Sequence, residues 1–193
     1  MDQARTELCT DRLLLKAPDM ALTHAVADFY LRNAEHFAPW NPPLPDDHAA
    51  PEVVRQALAE GAEAFALGRA LRWWLHPVQA PDRVIGSVHV SALVRGAFQS
   101  ANLGYALDGA LQGRGLMHEA LAAAIAEAFS PRVNLHRLQA GIQPENRRSL
   151  AVVRRLGFVE IGLARHYLFI AGAWRDHRLF ERLNPDFIAP PAW

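Results

Sequence analysis

A glycine-flanked arginine, Gly113-Arg114-Gly115, separates a strand pattern from a long helix pattern, and this junction constrains the fold most. The stretch "SANLGYAL" (100–107) before it is typical of a strand, and the alanine-rich residues 116–129 after it favour a helix. A helix start carries unsatisfied backbone N–H groups and partial positive charge. Glycines let a bulky anion approach that backbone closely. The junction therefore predicts a phosphate cradle, with a plain surface turn as the alternative.

Two other phosphate-binding signatures are excluded by their spacing. A dinucleotide-binding turn needs a third glycine three residues after the second, and His118 stands there. A P-loop needs Gly-Lys followed by Ser or Thr after four spacer residues, and the chain has no such run.

The remaining pattern predicts a mixed α/β fold of order β-α-α-β-β-β-α-β-α-β-β. Helices and strands alternate only in the second half, which indicates a sheet with antiparallel strands first and one crossover later. The segment His36–His48 contains four prolines and is expected to be an extended loop. Strands are predicted at 12–17, 71–77, 83–94, 100–107, 135–142 and in a hairpin around Ala171–Gly172, and helices at 18–33, 51–68, 116–129 and 146–158.

Length and composition bound the class of protein. The 193 residues predict a single domain, 1–193, with a loose proline-rich tail at 186–193. Twenty basic residues balance twenty acidic ones, which argues against direct nucleic-acid binding. The single cysteine allows no internal disulfide, and no Cys/His spacing predicts a metal. Without a signal-peptide pattern or a run of about 18 apolar residues, a cytoplasmic location and no membrane contact are expected.

Two motifs resemble the GNAT acetyltransferase superfamily. "LGYALDGALQGRGLMHEAL" is similar to its acetyl-CoA-binding segment, whose signature is [QR]-x-x-G-x-[GA]. Gln112 and Gly115 fit that signature, and Met117 replaces the last small residue. "PENRRSLAVVRRLGF" matches the family's second signature at Asn146, at Ser149 and in the ending 156–158.

Further stretches resemble the RimJ/RimL-type branch of that superfamily. They are "NAEHFAPWNP", "LVRGAFQ" and "GAWRDHRL", and the likeness runs from Arg12 to Asp186. The resemblance implies a mostly antiparallel twisted sheet, splayed where acetyl-CoA binds and flanked by helices. It also implies acetyl transfer by direct attack, to the N-terminal α-amine of an alanine in a protein such as a ribosomal protein.

The same resemblance implies which residues hold acetyl-CoA. Backbone N–H groups of 113–118 would hold the pyrophosphate, the strand 105–107 would pair with the pantetheine arm, and a backbone N–H near 103–105 would polarise the thioester carbonyl. The implied set is Tyr105, Ala106, Leu107, Gln112, Gly113, Arg114, Gly115, Leu116, Met117, His118 and Asn146.

The catalytic groups are less determined by the resemblance. Many relatives have a glutamate where this chain has Asn102 or Gly141, so the resemblance does not identify the base that deprotonates the amine. An α-amine has a pKa of about 7.7–8.0. A chain of water molecules could therefore suffice to remove its proton. Ser149 is the candidate acid that protonates the leaving thiolate, with a helix cap as the alternative. Tyr167 is a second candidate for that acid, with a packing aromatic as the alternative. Asp176 is a candidate base, with a structural role in the hairpin as the alternative. The candidate acceptor contacts, which could equally be packing anchors, are Trp40, Arg95, Phe98 and Trp174.

Two other functions stay open at this level. The same fold could acetylate a small amine, or it could be a non-catalytic module that senses acyl-CoA. A homodimer is one alternative for the assembly.

Overall fold

The sheet and helices are those of a computed structural model, which describes residues 3–189. The strands are β1 (Glu7–Cys9), β2 (Leu13–Lys16), β3 (Leu71–Pro77), β4 (Gly86–Val94), β5 (Ser100–Leu107), β6 (Arg137–Ile142), β7 (Val159–Ile170) and β8 (Ala173–Leu183). The helices are α1 (Thr23–Arg32), α2 (Ala34–Phe37), α3 (Pro51–Ala66), α4 (Leu116–Phe129) and α5 (Arg147–Arg155), with 3-10 turns at Met20–Leu22 and Gly109–Leu111.

All eight strands form one sheet in the order β1-β2-β3-β4-β5-β6-β8-β7. Every neighbouring pair is antiparallel except β5 and β6, which are parallel and meet only where Ser100–Asn102 lie opposite Arg137–Gln139. Beyond Asn102, β5 continues to Leu107 while paired only with β4. The predicted mixed α/β sheet, mostly antiparallel and splayed at one place, is confirmed.

Short elements account for most differences from the predicted order. The strand β1 was not predicted, because only Leu8 among its three residues is buried and the pattern is too short to read. The first predicted helix is divided, since Asp19 caps a separate 3-10 turn before α1 begins at Thr23. One helical turn, α2, reaches Phe37 inside the segment expected to be a loop. The terminal hairpin is longer than predicted and starts at Val159.

Turns and caps follow the residue types that the sequence offers. Gly68 and Gly157 follow α3 and α5 with φ of 63° and 77°, in the left-handed conformation expected after a helix end. Asn146 caps α5, where its side-chain oxygen accepts the N–H of Ser149. Ala171 and Gly172 both have positive φ at the tip of the β7–β8 hairpin. These four predicted positions are confirmed.

Two adjacent tryptophans show how the sheet separates two cores. Side chains alternate between the faces of a strand, so Trp73 and Trp74 of β3 point to opposite sides, and both are buried. Trp73 joins the larger core beneath α4, which includes Leu121. Trp74 packs with Phe29 of α1 and other residues of the second core. Each face thereby gains about 1.5–3 kcal/mol for every large side chain that is fully buried.

The C-terminal segment after β8 is attached to the body of the protein as far as it is described. Ile188 donates its N–H to the Asn134 side-chain oxygen at 3.1 Å, and its carbonyl accepts from the Asn134 amide at 2.8 Å. The ring of Phe187 lies 5.2 Å from that of His136. Within the segment expected to be a loose tail, these contacts involve residues 187 and 188, and positions 190–193 lie outside the described residues.

A buried carboxylate fixes the turn that leads from β5 into the glycine loop. The Asp108 side chain is 5% exposed and accepts from Arg32 at 2.9 Å and from Arg83 at 3.2 Å. Its other oxygen accepts the N–H of Ala110 at 3.1 Å. Burial raises the pKa of Asp108, but these hydrogen bonds and the Arg32 charge outweigh it and keep the pKa below its usual value.

Removing this charge should destabilise the protein. Because the folded-state pKa of Asp108 is depressed, its contribution is present above the unfolded-state pKa and disappears as the pH falls through the folded-state value. We expect Asp108→Asn to lower the free energy of unfolding by about 3 kcal/mol at pH 7, measured by urea denaturation. Asp28→Asn is the matched control, since Asp28 also pairs with Arg32 but is 68% exposed; its loss should stay below about 1 kcal/mol. Equal losses in the two variants would contradict the assignment.

Candidate functional site

A cavity of about 490 Å³ opens where β5 separates from β6, between the start of α4 and the helix α5. It is lined by every residue predicted to hold acetyl-CoA except Arg114, whose carbonyl instead accepts from Arg12 at 2.9 Å. Ser149 and Trp40 also line it. The structure thus brings together in one cavity residues from four separate parts of the chain.

The glycine loop exposes backbone donors to this cavity. Gly113 and Gly115 have φ of 76° and 77°, and Gly115 is the N-cap of α4 with no side chain capping it. The amide of Glu119 donates to the Gly115 carbonyl at 3.1 Å, so the amides before it in the first turn lack helical acceptors. A Cβ added to Gly113 would meet nothing within 4 Å. An anionic group of the size of a diphosphate fits this arrangement.

Side chains around the loop add cationic and amide donors. Arg148 of α5 donates to the Gln112 side-chain oxygen, and the Gln112 amide nitrogen lies 2.9 Å from Nε2 of His36. This chain of bonds joins α2, the glycine loop and α5 across the cavity mouth. Arg147 and Arg155 also line the cavity, and guanidinium groups suit phosphate oxygens.

Glu119 anchors the glycine loop to the N-terminal strands. Its carboxylate accepts from the Thr10 hydroxyl at 2.6 Å, from the Arg12 backbone N–H at 2.9 Å and from the Arg12 guanidinium at 2.6 Å. Burial raises the pKa of Glu119, but these bonds outweigh it and hold the pKa below its usual value. The carboxylate is therefore charged at neutral pH, and it positions the Arg12 side chain that holds the Arg114 carbonyl.

Two hydroxyl groups meet at the other end of the cavity. The Tyr105 hydroxyl lies 2.6 Å from Oγ of Ser149, and the Ser149 N–H donates to Asn146 at 3.1 Å. Burial raises the pKa of Tyr105 to about 12, against the opposing effect of the Ser149 hydrogen bond. The Tyr105 hydroxyl is therefore protonated at neutral pH, and either hydroxyl can be the donor in this contact. The sequence assigned only a backbone role to Tyr105, because its partner is far away along the chain.

The side-chain oxygen and nitrogen of Asn146 have different surroundings. Its oxygen is occupied by the Ser149 N–H. Its amide nitrogen donates to no residue within 3–189 and lies in the cavity wall. It can therefore donate to a bound ligand.

The other two candidate catalytic residues lie on the β7–β8 hairpin, outside the cavity wall. The Tyr167 ring is 5.4 Å from the ring of His177 and is 42% exposed. Asp176 accepts the backbone N–H of His166 at 2.8 Å, across an irregular part of the hairpin. This bond corresponds to the structural role in the hairpin that the sequence leaves as the alternative for Asp176. A catalytic role for either residue stays a prediction.

The candidate acceptor contacts are not all in one place. Trp40 lines the cavity. The Arg95 guanidinium donates to the carbonyl of Val133 at 2.8 Å and to Gln99 at 3.1 Å, so it braces the loop between β4 and β5. Phe98 and Trp174 are exposed and lie outside the cavity wall. Acceptor contacts by Arg95, Phe98 and Trp174 therefore stay predictions.

One titratable residue near the splay was not singled out from the sequence. His89 of β4 lies opposite Gly104 of β5. Its ring occupies the space that a Gly104 side chain would fill, since an added Cβ would lie 2.3 Å from Cε1 of the imidazole. The feature that would have identified His89 is a glycine directly opposite it on the paired strand. The register of strand pairing cannot be read from the sequence, so this feature appears only in the structure.

Metal ligands and membrane spans are both missing from the described part of the chain. No three His, Cys, Asp or Glu side chains within residues 3–189 lie together so as to hold a metal ion. No helix in the same range has the length and apolar character needed to cross a membrane.

Known proteins share this fold and these motifs. Residues 12–159 match the family described as "Acetyltransferase (GNAT) domain". An Escherichia coli protein named "[Ribosomal protein uS5]-alanine N-acetyltransferase" is 35% identical over 95% of this chain and 93% of its own. The crystal structure of a ribosomal-protein-S5-alanine acetyltransferase from Vibrio fischeri superposes with a TM-score of 0.91 at 31% identity, over 96% of this chain and 100% of the other.

A ligand-bound structure is also similar. Mycobacterium smegmatis RimJ, solved in complex with CoA-disulfide, superposes with a TM-score of 0.82 at 29% identity, over 89% of this chain and 81% of the other. The match to the family covers most of the chain and includes the glycine loop, the splayed strands and α5. The chain therefore belongs to the GNAT acetyltransferase family, whose members transfer acetyl groups from acetyl-CoA.

Proposed function

We propose that this protein transfers the acetyl group of acetyl-CoA to the N-terminal α-amine of a ribosomal protein that begins with alanine. The observation that carries the proposal is the cavity at the splay between β5 and β6, with a glycine loop at one end and a hydroxyl pair at the other. The names of the relatives from Escherichia coli and Vibrio fischeri support the choice of acceptor. Such an acceptor also supports a cytoplasmic location.

The glycine loop is suited to the pyrophosphate of acetyl-CoA. The amides of 113–118 and the nearby guanidinium groups would hold its oxygens. The free edge of β5 at 105–107 would pair with the amides of the pantetheine arm, in place of the missing β6 contacts. The Asn146 amide would donate to the same arm.

The reaction needs an acid for the leaving thiolate. The amine nitrogen forms a bond to the thioester carbon, and the C–S bond breaks with its electron pair on sulfur. In our proposal the thiolate receives a proton from the Tyr105–Ser149 pair, whose 2.6 Å contact lets one hydroxyl resupply the other. A backbone N–H near 103–105 would polarise the thioester carbonyl.

Acetylation of defined amines tests the proposed acceptor. Three probes are incubated with acetyl-CoA and followed by mass spectrometry: a peptide with a free N-terminal alanine, the same peptide blocked at its α-amine but carrying a lysine, and a polyamine. We expect acetylation of the first alone. Acetylation of the polyamine alone would replace the proposal by small-amine acetylation. Binding of acetyl-CoA without turnover of any probe would replace it by a non-catalytic role.

A further inference from the structure

We propose that the imidazole of His89 is the base that takes the proton from the acceptor amine during acetyl transfer. The proposal rests on the proposed function, because it assigns a residue to the amine side of that reaction. It supplies the base that the sequence alone leaves open.

The position of His89 is set by the pairing of β4 with β5. His89 lies directly opposite Gly104, two residues beyond Asn102, where β5 makes its last contact with β6. The ring lies over the Gly104 backbone, since an added Cβ there would be 2.3 Å from Cε1 and 2.6 Å from Nε2. Only glycine at 104 permits this approach. The imidazole therefore lies on the face of β5 two residues beyond its last pairing with β6, next to the cavity at the splay but not among the residues that line it.

His89 and the hydroxyl pair lie on opposite faces of the sheet. Val88 and Leu103 point into the core beneath α4, so their neighbours His89 and Gly104 point to the other face. Tyr105 shares the α4 face and packs against that core. A thioester between the splayed strands would therefore have a proton donor on one side and an imidazole on the other. The proton that leaves the amine and the proton that reaches the thiolate would then be handled by different groups.

The imidazole is partly exposed and free to accept a proton. No hydrogen bond joins its ring to any group within residues 3–189. Burial and, to a smaller extent, the positive charge of Arg72 on β3 together lower the pKa of His89 to about 4. The facing residues on β5, Asn102 and Gly104, carry no charge. The ring is therefore neutral across the physiological range.

A weak base is sufficient for the step we assign to it. At pH 7 roughly a tenth or more of an α-amine is already neutral, so the base need not create the nucleophile. Once the C–N bond forms, the nitrogen carries a positive charge and becomes a strong acid. Its proton passes to a ring nitrogen of His89, while the C–S bond breaks and the thiolate takes a proton from the hydroxyl pair. The imidazolium then gives its proton to water, and the hydroxyl pair regains a proton from water, so both groups return to their starting states.

Substitution of His89 tests the proposal directly. We expect His89→Ala and His89→Gln to lower kcat about 100-fold, while the Kd for acetyl-CoA, measured by calorimetry, changes less than about threefold. Free imidazole should restore part of the rate of His89→Ala, because the ring leaves a space above Gly104. His136→Ala is the matched control: His136 is also half-buried, but it lies against Phe187 away from the cavity. Its rate should stay near that of the wild type, with or without imidazole.

Two outcomes would overturn the proposal. One is a kcat within about twofold of the wild type in both His89 variants with their folded circular-dichroism spectra intact. The other is a reduced rate that imidazole does not raise in His89→Ala, together with an acetyl-CoA Kd weakened by the same factor, which would assign His89 to packing. Wild-type turnover of the alanine peptide tests the proposed function separately. If another probe proves to be the acceptor, the kcat of each His89 variant is compared with that of the wild type using that probe.

The pH dependence supplies a second readout. With His89 neutral, kcat/KM of the wild type should rise with pH only as the acceptor amine loses its proton, with a pKa of about 7.7–8.0. The pH profile should show no further change of slope near pH 6.5. Removing the Arg72 charge stabilises the imidazolium, so Arg72→Gln should raise the pKa of His89. Titration of the imidazole carbon proton by NMR measures that shift. A pKa of His89 near 6.5 in the wild type would contradict the assigned environment.

Discussion

Replacing Gly115 with valine is expected to weaken acetyl-CoA binding at least about 100-fold, a loss of about 2.8 kcal/mol. Gly115 has a φ of 77° at the N-cap of α4, and an added Cβ would lie 3.5 Å from the Arg12 guanidinium. A β-branched residue disfavours this conformation by about 1–2 kcal/mol. The loop is therefore expected to shift, and its amides would no longer converge on a pyrophosphate. Calorimetric titration with acetyl-CoA measures the loss.

Gly68→Val is the control that distinguishes loss of the phosphate cradle from backbone strain alone. Gly68 has a φ of 63° after α3, and a Cβ there would meet nothing within 4 Å. It therefore carries a similar backbone penalty, but it is not part of the cavity wall. We expect Gly68→Val to lower the stability by about the same amount while binding acetyl-CoA like the wild type. Equal affinity in Gly115→Val and the wild type would show that the glycine loop is not the cradle.

The second large effect is expected at the hydroxyl pair. Tyr105→Phe and Ser149→Ala each remove one member of the 2.6 Å contact, and we expect each to lower kcat about 100-fold. The KM for acetyl-CoA should change little, because the loss falls on the transition state. Steady-state kinetics with saturating acceptor peptide measures both parameters.

The double variant distinguishes a proton donor from a helix cap. If Tyr105 and Ser149 act as one unit, the Tyr105→Phe/Ser149→Ala double variant should be little slower than either single variant. The Asn146 cap survives Ser149→Ala, since Asn146 binds the backbone N–H of residue 149. An unchanged kcat in Ser149→Ala, with the melting temperature lowered, would leave Ser149 a structural residue and Tyr105 the only donor.

Local features of the fold were predictable because their causes are local. The left-handed glycines at 68 and 157 and the Asn146 cap each follow from a residue type at a helix end. The hairpin at Ala171–Gly172 and the opening of α4 at 116 follow from turn residues between periodic segments. Strand β1 was missed because three residues give no periodicity, and it forms only through pairing with β2.

The chemistry of the site was less predictable because it is assembled across the chain. Ser149 was identified from a family motif, but its hydroxyl partner Tyr105 lies on another element, and nothing in the spacing joins them. His89 becomes notable only once β4 and β5 are in register opposite Gly104. The resemblance implies an acceptor contact for Arg95, which stays a prediction, and the sequence does not show that its guanidinium donates to Val133 and Gln99. Side-chain direction in a loop is decided by tertiary partners.

The short contact between β5 and β6 has a consequence for amide hydrogen exchange. The strand pairing between β1–β5 and β6–β8 is limited to three residues of β5 and three of β6. Every second amide of β5 beyond Asn102 therefore points into the gap. These amides should exchange rapidly in the free protein and slowly once a pantetheine arm accepts from them. The cosubstrate would then act as a missing strand segment that joins the two blocks. Deuterium uptake along 103–107 would report occupancy amide by amide, without any turnover.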